Sequence, residues 1–64
     1  MKVIDFIKVM DGNDEMALWI NDKEVGSFYT VSAVMASGYA DAVVTELSAY
    51  DDYDRIVFCV SAVM

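Results

Sequence analysis

The sequence predicts an α+β fold: a small antiparallel sheet with one or two short helices packed on one face. Three observations predict it. Residues 43–62, "VVTELSAYDDYDRIVFCVSA", alternate apolar and polar side chains on either side of an aspartate-rich turn, as two paired strands do. Residues 2–10, "KVIDFIKVM", place their charges three positions apart, as one stripe of a helix does. A chain of 64 residues has room for a single domain, residues 1–64, and a two-layer arrangement is the simplest way for it to cover a sheet.

Read in order, the opening segment has two descriptions. As a strand, Asp5 shares a face with Val3, Ile7 and Val9. As a helix, Lys2, Asp5 and Lys8 share one stripe while Val3, Ile4, Phe6, Ile7 and Met10 take the other side. The helix accounts for every charge, allows an Asp5–Lys8 pair, and ends at "DGND", where Gly12 can adopt a left-handed conformation. "EMALWI", residues 15–20, is a strand with Trp19 opposite Met16, Leu18 and Ile20. "NDKE" turns the chain and "VGSFYT" returns beside it, a hairpin without an Asn-Gly turn. Thr30 to Ser37 form a second short helix, with Thr30 as its N-cap and Gly38 as its terminator. "YADA" leads into the final hairpin.

That hairpin is two strands around the loop Asp51 to Asp54. With Tyr50 opposite Arg55, one side carries Val43, Thr45, Leu47, Ala49, Ile56, Phe58, Val60 and Ala62. This side is nearly all apolar and is expected to face a core. The other carries Val44, Glu46, Ser48, Tyr50, Arg55, Val57, Cys59 and Ser61, the mixture of a half-solvated sheet.

Composition narrows the function. A domain of this size buries only about 60% of the surface of its unfolded chain and is marginal without help. One cysteine and no histidine exclude an internal disulfide and a Cys/His zinc site. Self-association remains, and the 58% apolar content favours it, so a homodimer or higher homo-oligomer is expected. The net charge of −7 opposes direct contact with nucleic-acid phosphates or anionic lipid and favours a basic surface on another protein. No stretch reads as a secretory signal or a membrane span, and a lone reduced cysteine suits a cytoplasmic protein.

Catalysis is not expected. Without histidine there is no Ser-His or Cys-His pair, and Cys59 sits in a strand with no lysine beside it in sequence. Asp51 and Asp52 lack the apolar pocket that raises a carboxyl pKa. Asp11, Asn13 and Glu15 have the first, third and fifth positions of a calcium loop, but Met16 replaces its glycine and Asp22 its bidentate glutamate. No metal or cofactor is expected. The remaining feature is the crowded turn: Tyr50, Asp51, Asp52, Tyr53 and Asp54, extended by Glu46 and the acidic turns 11–15 and 22–24. Aspartates favour turns for local reasons, so a solvated turn is one reading. The other is a partner-binding surface of rigid aromatics and carboxylates, able to imitate DNA phosphates toward a basic protein.

Three segments, "VIDFIKVM", "ALWIND" and "ADAVVTELSAYDDYDRIVFCV", give the chain a pattern that resembles small accessory proteins of phages and mobile elements of Gram-positive bacteria. The resemblance implies an inhibitory or binding role toward host enzymes or bacterial defence systems, and it transfers no site residue. Together with the acidic surface, it makes an inhibitor of a nucleic-acid-handling or defence enzyme the first expectation. The alternative is a structural homo-oligomer module, in which Val44, Val57, Cys59 and the tail "SAVM" make self-contacts.

Overall fold

Asp5 starts the first helix by turning its carboxylate back to accept the Lys2 backbone N–H at 3.2 Å. The amides of Val3 and Ile4 are satisfied from outside, donating to the carbonyls of Ala42 (2.9 Å) and Ala40 (3.1 Å). In the computed structural model, which describes residues 1–64, this helix (α1) spans Val3–Ile7. It is shorter than its charge spacing suggests. Val9 and Met10 donate to Phe6 and Ile7, three residues back, so the chain tightens out of the helix before Gly12 is reached. Gly12 keeps a negative φ, and Asp5, occupied at the helix start, makes no ion pair with Lys8.

Strand β1 (Glu15–Ile20) and strand β2 (Lys23–Phe28) form the expected hairpin. Its turn is Asn21 and Asp22, with φ of 50° and 68°. Two successive left-handed residues match the right-handed twist of the strands, and Asn and Asp tolerate that conformation better than other non-glycine residues. Helix α2 (Val31–Ser37) has both expected caps: Thr30 Oγ1 accepts the Ala33 N–H at 3.1 Å, and Gly38 takes a left-handed φ of 87°.

Strand β3 (Val43–Asp52) and strand β4 (Arg55–Val63) complete a sheet of order β2-β1-β4-β3. The α+β class holds, with both helices contributing to one core. The sheet is mixed rather than wholly antiparallel, because β1 and β4 lie side by side in parallel, Glu15 against Val57 through Ile20 against Ala62. The chain reaches that arrangement by way of β2, α2 and β3, which places β2 and β3 at opposite edges. Met16, Leu18 and Ile20 of β1 and Val60 and Ala62 of β4 meet Val3, Phe6, Ile7, Val34 and Ala42 in the core. The Phe6 and Phe58 rings join edge to face at 5.2 Å.

Two irregularities shift the expected side-chain phase. Leu18 pairs with Gly26 and Trp19 with Glu24, so Val25 is an extra residue and packs on the core with Phe28. Gly26, at φ 141°, supplies the backbone shape this requires. In β3, Val44 pairs with Ala62 and Glu46 with Ser61, leaving Thr45 as the extra residue. Val44 therefore packs against the core, not on the outer face where strict alternation puts it.

The final hairpin is also tighter than a loop from Asp51 to Asp54. Asp52 pairs with Arg55 and Tyr50 with Val57, so only Tyr53 and Asp54 turn, with Tyr53 at φ 59°. The slip is two residues, which preserves the faces of the paired positions. Coverage is where expectation fails most. Leu47 and Ile56 are 49% and 38% exposed and Ala49 is exposed, although they lie on the helix side. Helices of five and seven residues are too short to reach across four strands.

Leu18, fully buried at the centre of the core, is expected to lose about 3 kcal/mol as Leu18→Ala. Urea denaturation checks this, and a change under ~1 kcal/mol would place the core elsewhere.

Candidate functional site

Parallel pairing of β1 with β4 brings the 11–14 turn against the tip of the β3–β4 hairpin. Asp14 Oδ1 accepts the Ile56 backbone N–H at 3.2 Å, fastening the two together. Asp11 and Asp14 share that turn, the Asp14 amide donating to the Asp11 carbonyl at 3.0 Å. Asp11, Asp14, Glu15, Asp51, Asp52 and Asp54 thus gather at one end of the sheet. The 22–24 turn lies at the other end, where the Asn21 amide donates to Ala62. The acidic array expected from the sequence is therefore divided: turn 11–15 joins the hairpin tip and turn 22–24 does not.

Strand alternation divides the tip itself. Glu46, Ser48, Tyr50 and Asp52 line up with Ser61, Cys59, Val57 and Arg55 on the sheet face that no helix covers. Asp51 pairs with Ile56 and lies on the helix side. Tyr53, at the turn, is fully exposed, Tyr50 is 56% exposed, and Asp51, Asp54 and Glu46 are exposed, with Asp52 half-buried. The chain's two ion pairs, Lys2–Asp41 and Arg55–Glu15, involve none of the carboxylates of Glu46, Asp51, Asp52 or Asp54. The six expected site residues are thus brought to one hairpin, but on two faces of it.

Sequence reasoning missed Glu15 as a hub. Its Oε2 accepts from Ser27 Oγ (2.9 Å), and its Oε1 accepts from Tyr29 Oη (3.0 Å) and from an Arg55 guanidinium N–H (3.4 Å). One carboxylate thus holds β1, β2 and β4 together on the open face. Only the parallel β1–β4 register brings Arg55 to it, and nothing local in the sequence indicates that register. Beside the hub lies an open recess of about 300 Å³ lined by Gly12, Asn13, Tyr29, Asp54 and Arg55. It reaches the size of a small-ligand cleft, for which the sequence leaves little room.

The field of the open face acts on Tyr50. Its phenol ionises above the ordinary 10.0, first because its surroundings hydrate the phenolate less well than bulk water, then because Cys59, Asp52, Glu15 and Glu24 repel the charge. On the open face, Val57 is buried between Glu15 and Tyr50 in register, and Ala17 is also buried. Cys59 is free and partly exposed in the strand beside Ser48. No grouping of three or more His, Cys, Asp or Glu side chains has the geometry to hold a metal ion. No helix is long and apolar enough to cross a membrane.

No family model, no curated protein and no solved structure matches this chain.

Two outcomes follow from this geometry. Glu15→Ala leaves three donors without their acceptor and is expected to cost ~1–2 kcal/mol in urea denaturation, against less than about 0.5 kcal/mol for the unpaired Asp51→Ala. Equal effects would remove Glu15 as the hub. In an ultraviolet tyrosinate titration, Tyr50 ionises above 10.0 and Tyr50→Phe removes that late transition. The sign for stability follows from the raised value: the protonated phenol is favoured in the fold, so its contribution is complete below 10.0 and is lost as pH rises through the higher folded value. Loss of a transition at the ordinary 10.0 in Tyr50→Phe, instead of the late one, would show that the field does not act there.

Proposed function

We propose that the chain is a small acidic protein-binding module whose hairpin tip, Tyr50 to Asp54 with Glu46 behind it, engages a basic surface of another protein. One observation carries this reading: Tyr50 and Tyr53 are exposed beside carboxylates that no cation of the chain neutralises. Solvated aspartates need no aromatic neighbours to keep a turn soluble. A fully exposed tyrosine offers a rigid contact area of low conformational entropy, and the aspartates draw Arg and Lys side chains toward it. The two-residue turn holds the tip between paired strands, so a partner meets a largely preformed surface.

The basic sites that such a surface suits best are those that normally hold nucleic acid. In its more specific form the proposal is an inhibitor of a nucleic-acid-handling or defence enzyme, acting as a DNA mimic. The resemblance of the sequence pattern to small phage and mobile-element accessory proteins of Gram-positive bacteria supports an inhibitory or binding role in general, and a free Cys59 suits a cytoplasmic setting.

The test is affinity capture from a bacterial lysate with the immobilised chain, at low and high salt, against the triple variant Asp51→Asn, Asp52→Asn, Asp54→Asn. The wild-type chain is expected to retain basic proteins at low salt and release them at high salt, while the variant, still folded by circular dichroism, retains none. Equal retention by both chains moves the site away from the tip. Retention of nothing basic at low salt ends the proposal.

A further inference from the structure

We infer that the recess beside the Glu15 hub is a binding site for a guanidinium group, supplied by an arginine side chain of the basic partner. The inference rests on the proposal that this end of the molecule meets a basic protein, and it names the side chain that docks. Three segments distant in sequence build the recess. Gly12 and Asn13 come from the turn before β1, Tyr29 follows β2, and Asp54 with Arg55 comes from the β3–β4 hairpin. Parallel pairing of β1 with β4 sets the first and third side by side. The hydrogen bond from Tyr29 Oη to Glu15, at 3.0 Å, draws in the second. The resulting volume of about 300 Å³ accommodates the end of one long side chain.

The lining specifies charge. The side chains of Asn13 and Asp54 enter no ion pair and no hydrogen bond, so an amide and a carboxylate stand free on the wall. Asp11, Asp14, Asp51 and Asp52 gather at the same end, while the charge of Arg55 is matched by Glu15. An anion such as phosphate would meet that surplus of carboxylates with the arginine already engaged, and is disfavoured. An apolar ligand finds only the Tyr29 ring to lie against. A cation is the remaining fit.

The walls also select among cations. Tyr29 is 47% exposed, and its bond to Glu15 fixes the ring in place. A guanidinium is planar, stacks on such a ring, and sheds water more readily than an ammonium does. Its parallel N–H groups suit the two oxygens of the Asp54 carboxylate, and the Asn13 side-chain carbonyl is a further acceptor. Arg55 donates a single side-chain bond, to Glu15, and its other N–H groups are free to meet a backbone carbonyl of the same partner residue. It acts there as a donor beside the incoming cation, with its own charge balanced by Glu15.

Nuclear magnetic resonance titration of the isotope-labelled full chain tests this, with Nα-acetylarginine amide as the probe. Saturable shifts are expected at the backbone amides of Gly12, Asn13, Tyr29 and Asp54, and not in the 22–24 turn. Nα-acetyllysine amide is expected to bind more weakly. Nα-acetylcitrulline amide, which keeps the shape without the charge, is expected not to bind. Asp54→Asn should weaken the arginine probe about fivefold or more, and Tyr29→Leu about two- to fivefold. Asp22→Asn removes the same charge at the far end of the sheet and should change the affinity less than about twofold. Circular dichroism checks that each variant is folded. Shifts spread over every acidic turn, equal binding of the lysine or citrulline probe, or equal losses from Asp54→Asn and Asp22→Asn would overturn the inference. Its fate is separable from that of the lysate capture. A chain that binds the probe in the recess yet retains no basic protein keeps the guanidinium site and loses the partner. A chain that retains basic proteins without binding the probe does the reverse.

Discussion

The parallel contact between β1 and β4 is the constraint on which the rest of the molecule depends. It joins residues 15–20 to residues 57–62, nearly the two extremes of the chain. Everything between them must leave the sheet centre, go round, and return. That path places β2 and β3 outside and sends α2 across one face. It also puts Met16, Leu18 and Ile20 beside Phe58, Val60 and Ala62, on the one surface wide enough for α1 to bury. Parallel pairing over so long a loop is entropically costly to form and is favoured only when the contacts it makes are apolar and closely packed. The core meets that condition and has little to spare, since twelve of 64 residues are buried.

The same contact creates the electrostatic asymmetry. Asp14 and Glu15 precede and open β1, and Arg55 and Ile56 open β4, so aligning the strands in parallel puts all four at one end. There Asp14 holds the Ile56 amide and Glu15 holds Arg55. The only arginine is thereby committed to a structural carboxylate, and the hairpin-tip aspartates are left without it. The concentrated negative charge is a by-product of how the sheet closes. Its repulsion is tolerable because the groups are solvated and the tip projects from the body. Whatever binds there inherits an uncompensated field. That is why the partner surface is proposed at the tip and not at the more sheltered Glu15 network.

How much of this was legible in the sequence depends on the range of the interaction. Thr30 and Gly38 bracket α2 as their local chemistry requires, because an N-cap and a left-handed terminator act within a few residues. Trp19 lies opposite Met16, Leu18 and Ile20, because strand parity is local too. The first departures come where one residue is added without a local sign. Thr45 bulges out of β3 and Val44 changes face, and no alternation rule marks Thr45 as the extra residue. The turn at Tyr53 is tighter than the run of aspartates suggests, since pairing Asp52 with Arg55 outweighs their preference for loops. The parallel register was out of reach altogether. With it went the hub at Glu15, whose donors are 12, 14 and 40 residues away. For the candidate site, the residues of the tip were readable as a group and their division between two faces was not.

The apolar surplus in the composition has a structural counterpart. Large apolar side chains remain exposed at Val9, Val31 and Met35, and on the β3–β4 arm or its ends at Val43, Leu47, Ile56 and Val63. Those on the arm are there because the arm is longer than its support. β3 runs ten residues and β4 nine, beside a β1 of six, and the helices are shorter still. A protein whose only task was to fold would gain by trimming that arm or by placing lysines along its edge. The arm instead keeps its acidic residues at the tip, where solvent hydrates them, and its apolar residues along a stretch that helices of five and seven residues do not reach.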